Sequence, residues 1–229
     1  MSIDRSKIAV VIPALNEEES LPFVLKAIPS VGAVLVVDNG STDNTAVVAQ
    51  KGGAEVLQQP KKGYGNACQT GITEAKLRGL EIVVILDGDH SFDPIEIDQL
   101  VEPIQKDQAD MVLGDRTQTS EPGALLIQQR LGNWVATTLI RAVTGHRYRD
   151  MGPFRAIRTQ ALIDMHMEDP NFGWNVEMQL KAVQRGFRVM EVPVQCRQRI
   201  AGNSKVSGSF RGAVRCGAKM MWATWRYAQ

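Results

Sequence analysis

Residues 82–90 read Ile-Val-Val-Ile-Leu-Asp-Gly-Asp-His, five apolar residues followed by two aspartates two positions apart. A nearly continuous run of Val, Ile and Leu is typical of a strand buried on both faces of a parallel sheet. Comparable runs occur elsewhere in the chain, at residues 8–12, 33–37, 55–57 and 111–113. These runs predict the strands of one sheet, with residues 82–86 as a buried member.

The stretches between these runs carry apolar residues at spacings of three and four, which indicates helices. They are residues 17–28, 43–50, 65–78 and 95–105. Strand followed by helix, repeated, predicts an α/β fold with a mostly parallel sheet, and ligands bind such sheets beyond the carboxyl ends of the strands. After residue 114 the pattern predicts a long helix ending near residue 143, helices at 159–165 and 174–184, a strand at 187–194, a loop at 197–208 and a last helix at 209–227.

Length and composition fit one soluble domain. The chain has 229 residues and a formal net charge of +1, which by itself says nothing about partners. We expect no nucleic-acid partner. The charge is uneven, because residues 197–229 hold seven Lys or Arg and no acidic residue. No signal peptide and no apolar run long enough to span a bilayer is visible. The three distant cysteines, Cys68, Cys196 and Cys216, predict reduced thiols in a cytoplasmic protein.

Asp87 and Asp89 follow the buried run directly and are the strongest chemical signal. Two carboxylates at the end of such a strand are costly unless a cation compensates them, and a divalent ion there could clamp a diphosphate. Oxygen ligands favour Mg²⁺ or Mn²⁺. A solvated turn is the alternative for this pair. His90 could be a third ligand, could lie behind the ligands, or could only pack.

Two other predicted strands also end in polar residues, at 13–18 and 38–43. Asp38 could accept hydrogen bonds from a base or ribose, or it could brace the turn that follows. Residues 61–67, Lys-Lys-Gly-Tyr-Gly-Asn-Ala, form a glycine-rich turn that enters a helix. Backbone N–H groups and Lys62 could bind an anion there, although a solvated lysine pair would look the same.

These motifs, in this order, resemble the family 2 glycosyltransferases. The resemblance rests on PALNEE at 13–18, DNGSTDNT at 38–45, KKGYGNA at 61–67 and DGDH at 87–90, and it continues through GDR at 114–116, DMGPFR at 150–155 and RIAGNSKVSG at 199–208. The most similar group is that of the polyprenyl-phosphate glycosyltransferases. The resemblance implies the GT-A fold over residues 1–208, with residues 209–229 as a basic C-terminal helix, and inversion at the anomeric carbon.

The resemblance also implies roles for individual residues. The nucleoside pocket would be lined by Pro13, Asn16, Glu17 and Asp38, and the metal and the donor diphosphate would be held by Asp87 and Asp89. Arg199 and Lys205 would close on the diphosphate from a mobile loop, where two cations suit a leaving group that gains charge. Arg116 and Arg130 match positions that bind an acceptor phosphate, although Arg130 could simply be a surface helix residue.

One departure from the family pattern affects the metal site. The group commonly has Gln or Asn about two residues beyond the second aspartate, whereas His90 and Ser91 follow Asp89 here. The details of metal coordination therefore stay open.

The choice of acceptor depends on whether the protein supplies a base. A phosphate monoester is already ionised at pH 7, whereas a hydroxyl acceptor needs a general base within hydrogen-bond reach. Asp150 and Glu177 are the two candidate catalytic bases, and either could instead orient sugar hydroxyls or cap local structure.

The predicted last helix bears on localisation. Arg211, Arg215 and Lys219 recur every four residues, and Trp222 and Trp225 follow. Such a helix suits peripheral contact with the cytoplasmic face of a membrane through residues 209–229. A docked helix, a homodimer contact or a membrane-subunit partner are the alternatives.

The sequence thus favours transfer of a hexose from a UDP- or GDP-sugar, UDP-glucose or GDP-mannose being the obvious donors, to a polyprenyl phosphate. Transfer to a soluble hydroxyl or a glycan is the alternative within the same class. A nucleotidyltransferase is disfavoured because residues 13–19 contain no glycine. A non-catalytic nucleotide-sugar-binding subunit is a further alternative, which the intact Asp87, Asp89, Arg199 and Lys205 disfavour.

Overall fold

The computed structural model describes residues 3–200 and 221–228. Seven strands form one sheet in the order β3-β2-β1-β4-β6-β5-β7. The strands are β1 (Ile8–Ala14), β2 (Ala33–Asp38), β3 (Glu55–Gln58), β4 (Ile82–Ile85), β5 (Met111–Asp115), β6 (Arg155–Arg158) and β7 (Val189–Pro193). The predicted mostly parallel α/β sheet is confirmed, because only β6 runs antiparallel to its two neighbours.

Seven helices flank the sheet over residues 3–200. They are α1 (Leu21–Ala27), α2 (Thr45–Lys51), α3 (Tyr64–Leu77), α4 (Ile97–Gln105), α5 (Ile127–Thr144), α6 (Thr159–Met165) and α7 (Trp174–Gln184). Residues 221–227 are also helical, whereas most of the predicted loop and the start of the predicted last helix lie outside the described residues. The same holds for the predicted domain boundary at 208/209.

The central strands supply the core on both faces of the sheet. Val11, Leu35 and Val83 point to one face, and Val10 and Val84 point to the other, all of them fully buried. Burial of apolar side chains on both faces is why these strands read as continuous apolar runs rather than alternating ones. In the central strands β1, β2 and β4, polar side chains are therefore confined to the end of the strand or to the loop that follows it.

Strand β6 was not predicted from the sequence. It spans four residues, Arg155–Arg158, and has an arginine at each end, so it offers no apolar run to recognise. It fits the sheet because it pairs with β4 and β5 on either side. Arg155 is fully buried and donates to the backbone carbonyl oxygen of Gly152.

The parallel strands β1, β2, β4 and β5 end at one edge of the sheet, called the rim below. Registers place Ala14 beside Asp38 and Val11 beside Ile85. Helix α1 begins at Leu21 and not near residue 17 as predicted, because the preceding residues are held in a loop at the rim. In that loop the Glu17 N–H donates to Thr45 Oγ1 at 2.9 Å.

Within residues 3–200 and 221–228, no helix is both long and apolar enough to cross a membrane. Cys68 and Cys196 are buried free thiols, as predicted, and Cys216 lies outside the described residues.

Two helix-interior glycines allow a matched test of the packing. A Cβ atom on Gly71 of α3 would lie 2.4 Å from Val11 Cγ1, inside the fully buried core. We expect Gly71→Ala to lower the free energy of unfolding by about 1–3 kcal/mol, because overpacking outweighs the better helix propensity of alanine. Urea unfolding followed by circular dichroism measures the change.

The control is Gly132→Ala in α5, where a Cβ atom would meet no other atom within 4 Å. This variant should be unchanged or more stable by about 0.5–1 kcal/mol. Equal effects at the two positions would contradict the close approach of α3 to β1.

Candidate active site

Hydrogen bonds tie the first two polar strand ends together at the rim. Asn16 has a left-handed backbone with φ of 54°. Its N–H donates to Ser41 Oγ at 3.0 Å, and its Oδ1 accepts from the Thr42 N–H at 2.8 Å. The Glu18 carboxylate accepts from the Asn44 N–H at 2.9 Å. The loops after β1 and β2 therefore form one polar wall.

The third polar strand end joins this wall through Ser20. Its hydroxyl donates to the Gly88 carbonyl oxygen at 2.8 Å and contacts the Glu17 carboxylate at 2.9 Å. The rim thus brings together residues that the sequence analysis assigned to nucleoside and metal binding, namely Asn16, Glu17, Asp38, Asp87 and Asp89.

Asp87 and Asp89 lie where β4 ends. Asp89 is 3 % exposed and Asp87 is partly buried. Burial raises the pKa of Asp87 to about 7, with a further rise from the charge of Asp89, although Arg199 and Arg116 act in the opposite direction. Two carboxylates that disfavour each other's charge are a donor set that fits a hard divalent cation.

Arg199 contacts this pair through Asp89. Its Nη2 lies 2.6 Å from Asp89 Oδ2, and its Nη1 lies 3.9 Å from Glu17 Oε1. Arg197 positions the backbone beside it, because its N–H donates to the Ser91 carbonyl oxygen and its guanidinium pairs with Asp93 at 2.7 Å. Arg199 thus reaches the acidic pair from an anchored segment. Lys205, the second predicted cation, lies outside the described residues.

His90 has a left-handed backbone with φ of 60°, and its ring packs edge-on against Phe23 with centroids 6.1 Å apart. No group of three His, Cys, Asp or Glu side chains that could hold a metal occurs in residues 3–200 or 221–228. The geometry favours the packing alternative for His90, and its role as a ligand stays a prediction.

Asp38 braces its own turn, because its Oδ1 accepts from the Ser41 N–H at 2.9 Å. For the next residue, Asn39, no role was predicted from the sequence. Its amide donates to the carbonyl oxygens of Gln59 and Lys61, and its Oδ1 accepts from the Gly63 N–H at 2.7 Å. Asn39 therefore holds the turn of residues 61–67, called the lysine turn below, against the rim. Its signal in the sequence was its place in the polar strand end at 38–43.

The glycines of the lysine turn are explained by packing. Added Cβ atoms on Gly63 and Gly65 would lie 2.1 and 2.0 Å from the carbonyl oxygens of Pro170 and Asp169. The Asn66 N–H also donates to Pro170. Some of the backbone N–H groups predicted to hold an anion therefore already donate to groups of the protein. The exposed Lys62 extends over Gly40. Lys62 stays a predicted ligand of the donor, as does the partly buried Pro13.

Arg116 and Asp150 form a buried, two-pronged ion pair at the rim. Arg116 Nε and Nη2 lie 2.7 and 2.8 Å from the two carboxylate oxygens, and the Arg116 and Met151 N–H groups donate to them as well. Burial would raise the pKa of Asp150, but Arg116 outweighs it and holds the pKa below the ordinary value. The geometry does not support Asp150 as a general base, because both oxygens are engaged.

Glu177 is likewise a structural residue. It is fully buried in α7, and its oxygens accept from the N–H groups of Glu168 and Asp169, each at 2.7 Å. Lys181 pairs with it at 2.6 Å. The predicted base role of Glu177 is not supported, since it fixes the segment that packs on Gly63 and Gly65.

Arg130 lies exposed on α5. This helix is tied to the rim by Asn133, whose side chain donates to the Arg149 carbonyl oxygen at 3.0 Å and accepts from the Met151 N–H at 2.7 Å. Arg116 and Arg130 therefore both lie on elements that meet at residues 149–151, and their role in acceptor binding stays a prediction.

A sheet of this order, with an Asp-x-Asp pair at the end of a central strand, defines the GT-A class of glycosyltransferase folds. The chain belongs to glycosyl transferase family 2, whose sequence model matches residues 9–165. The family resemblance read from the motifs is thereby confirmed.

Individual relatives agree with this family. The chain is 41 % identical over 209 residues to an uncharacterized glycosyltransferase of Mycobacterium tuberculosis, covering 90 % of this chain and 93 % of that protein. It is 32 % identical over 224 residues to an undecaprenyl-phosphate mannosyltransferase of Micrococcus luteus, covering 90 % of each.

The fold is also similar to that of a solved structure. Glucosyl-3-phosphoglycerate synthase from Mycobacterium tuberculosis, crystallised with Mn²⁺, UDP and phosphoglyceric acid, matches with a TM-score of 0.74 and 22 % identity, covering 96 % of this chain and 81 % of that one. This likeness confirms the predicted GT-A fold.

The buried ion pair at the rim gives one prediction. Arg116→Met should lower the free energy of unfolding at pH 7 by about 3–5 kcal/mol, because the Asp150 carboxylate would stay buried without a positive charge to compensate it. Adding Asp150→Asn should restore part of the loss. Wild-type Asp150, with its lowered pKa, contributes stability above about pH 4 that is lost as the pH falls through the folded-state pKa. In the single variant, burial without the guanidinium should raise the pKa of Asp150, so the carboxyl takes up a proton as the pH falls. The deficit should therefore shrink between pH 7 and pH 4, as measured by urea unfolding.

The acidic pair gives a second prediction. Saturation with Mn²⁺ in the presence of UDP or GDP at 100-fold the dissociation constant should stabilise the wild type by about 2.7 kcal/mol. Asp87→Asn should lose most of this gain without loss of stability in the metal-free protein, because the substitution also removes the repulsion from Asp89. Thermal-shift measurements with and without Mn²⁺ test both statements.

Arg199→Gln should change the affinity for Mn²⁺ in the direction opposite to Asp87→Asn. Since Arg199 pairs with Asp89, its removal should strengthen binding of Mn²⁺ alone, measured by isothermal titration calorimetry. Asp98→Asn, which alters an aspartate paired with Arg5, is the control. It should change neither the thermal shift with Mn²⁺ and nucleotide nor the affinity for Mn²⁺ alone. A full Mn²⁺ shift in Asp87→Asn would refute the assignment of the pair.

Proposed function

We propose that this protein is an inverting glycosyltransferase that moves a hexose from a nucleotide sugar to a polyprenyl phosphate. The observation that carries the proposal is the acidic pair Asp87 and Asp89 at the end of β4, surrounded by the joined loops of β1 and β2. A crevice beyond the carboxyl ends of parallel strands is where such sheets bind nucleotides.

The donor would lie along the rim. Asn16, Glu17 and Asp38 would contact the nucleoside, and Asp87 and Asp89 would hold Mg²⁺ or Mn²⁺ against the diphosphate. When bound, that cation neutralises the charge that builds up on the departing nucleoside diphosphate. Arg199, with Lys205 of the following segment, would move from Asp89 to the diphosphate and add further positive charge. A UDP-sugar is the donor we favour, with GDP-mannose as the other choice.

The state of the carboxylates supports a phosphate acceptor. Asp150 is held by Arg116, and Glu177 is held by two N–H groups and Lys181, so neither of the predicted bases has an oxygen free to take a proton. An acceptor that arrives already ionised needs no base. Arg116 and Arg130, near residues 149–151, would receive its phosphate. The name of the Micrococcus luteus relative also supports a polyprenyl-phosphate acceptor.

A soluble acceptor is the second candidate. The observation in its favour is that the similar solved structure contains phosphoglyceric acid, a small phosphate-bearing acid, together with UDP. Its identity to this chain is only 22 %, so this supports the class of acceptor less strongly than the lipid-phosphate relative does.

The deciding experiment follows radiolabelled sugar. The full chain is incubated with Mn²⁺ and UDP-glucose or GDP-mannose, and with detergent-dispersed polyprenyl phosphate, 3-phosphoglycerate or a glycan as acceptor. We expect label in a butanol-extractable lipid that mild acid cleaves. Label that stays in a water-soluble product would overturn the lipid acceptor, and no transfer to any acceptor would favour a non-catalytic binding subunit.

Asp89→Ala is the accompanying variant. It should reduce transfer by roughly a hundredfold or more while the protein stays folded, because the charge on the leaving group loses its stabilisation. Asp98→Ala serves as the matched control with unchanged turnover. Full activity of Asp89→Ala would remove the acidic pair from the reaction.

A further inference from the structure

The outward side of α5 is apolar where a surface helix is usually polar. Ile127, Leu131 and Trp134 recur at spacings of four and three and are 83, 60 and 64 % exposed. The opposite side of the helix is already used, because Ala136 and Ile140 are fully buried in the core. An exposed apolar stripe of this kind marks an interaction surface.

Arginines lie on the same side of α5 as this stripe and beyond the end of the helix. Residues 124–149 contain four arginines and no acidic residue. These arginines, all exposed, are Arg130, Arg141, Arg147 and Arg149. Helical spacing places Arg130 and Arg141 on the same side as Leu131 and Trp134. Apolar side chains, a tryptophan and flanking arginines on one side of a helix match the interface of an anionic membrane.

We propose that the α5 face, defined as Ile127, Arg130, Leu131, Trp134 and Arg141, binds the surface of a bilayer that contains anionic phospholipids. The apolar side chains would enter the boundary between headgroups and acyl chains, and the arginines would contact the headgroup phosphates. This surface is separate from residues 209–229, where the sequence predicted membrane contact.

Charge distinguishes the bilayer from other occupants of the α5 face. Residues 201–220 carry four Lys or Arg and no acidic residue, so covering the face with them would set cations against cations. A second copy of the chain packed on the same face would do the same. An anionic lipid surface is the occupant whose charge is complementary.

The position of the α5 face suits a lipid acceptor. Asn133, next to Trp134, links α5 to Arg149 and Met151, which flank Asp150, the partner of Arg116. A bilayer on the α5 face would therefore lie beside the residues that we propose receive the acceptor phosphate. The inference rests on the proposed function, because a lipid acceptor is what gives a membrane-facing helix its use.

Vesicle co-sedimentation of the full chain tests the inference. The vesicles are phosphatidylcholine alone or mixed with phosphatidylglycerol, without donor or acceptor. We expect wild type to bind the anionic vesicles and Leu131→Gln/Trp134→Gln to bind them about tenfold more weakly, since two apolar anchors are lost. Arg141→Glu should weaken binding to anionic vesicles only. Leu77→Gln, at a leucine 76 % exposed at the end of α3 away from the rim, is the control and should bind like wild type.

The proposal would be overturned if wild type did not bind anionic vesicles, or if the α5 double variant and Arg141→Glu both bound like wild type. It would also be overturned if wild type formed a dimer that the double variant abolishes. Loss of binding in Trp222→Gln/Trp225→Gln alone would assign the contact to the C-terminal helix and would likewise overturn it. The proposed function is tested separately, because transfer to detergent-dispersed polyprenyl phosphate needs no vesicle and should stay intact in the double variant.

Discussion

Repulsion between two carboxylates at the end of β4 is the constraint on which the site depends. Burial and the charge of Asp89 raise the pKa of Asp87 to about 7, and the two carboxylates lie two residues apart at the end of a fully buried strand. Arg199 relieves part of this repulsion by pairing with Asp89. A bound cation would therefore lower the electrostatic free energy of the acidic pair. The loops after β1 and β2 are joined around this pair.

Asp150 and Glu177 differ from Asp87, whose pKa is raised, because each is paired with a cation within the protein. Asp150 has Arg116, and Glu177 has Lys181 and two N–H groups. Charges that are satisfied internally maintain the shape of the site, whereas charges that are not satisfied remain available to a ligand. This division supports our proposal of an acceptor that brings its own negative charge.

The sequence predicted the parallel strands, most helices and the meeting of three polar strand ends, because periodicity and strand connectivity determine them. Strand β6 was not predicted, since Arg155–Arg158 has no apolar run. The start of α1 was placed too early, because the hydrogen bond from the Glu17 N–H to Thr45 joins residues that are far apart in the sequence. Asp150 and Glu177 were predicted as candidate bases because the sequence does not reveal the partners of a carboxylate, which are set by tertiary contacts. Asn39 was overlooked for the same reason.

The close approach of residues 169–170 to Gly63 and Gly65 has a consequence for how such sequences diverge. The lysine turn can keep its shape only while both glycines and the segment fixed by Glu177 remain compatible. Substitutions in α7 that shift the segment fixed by Glu177 would therefore also disturb the lysine turn. During evolution, the two segments are constrained to change together, and a residue swapped alone between homologues at either place would be poorly tolerated.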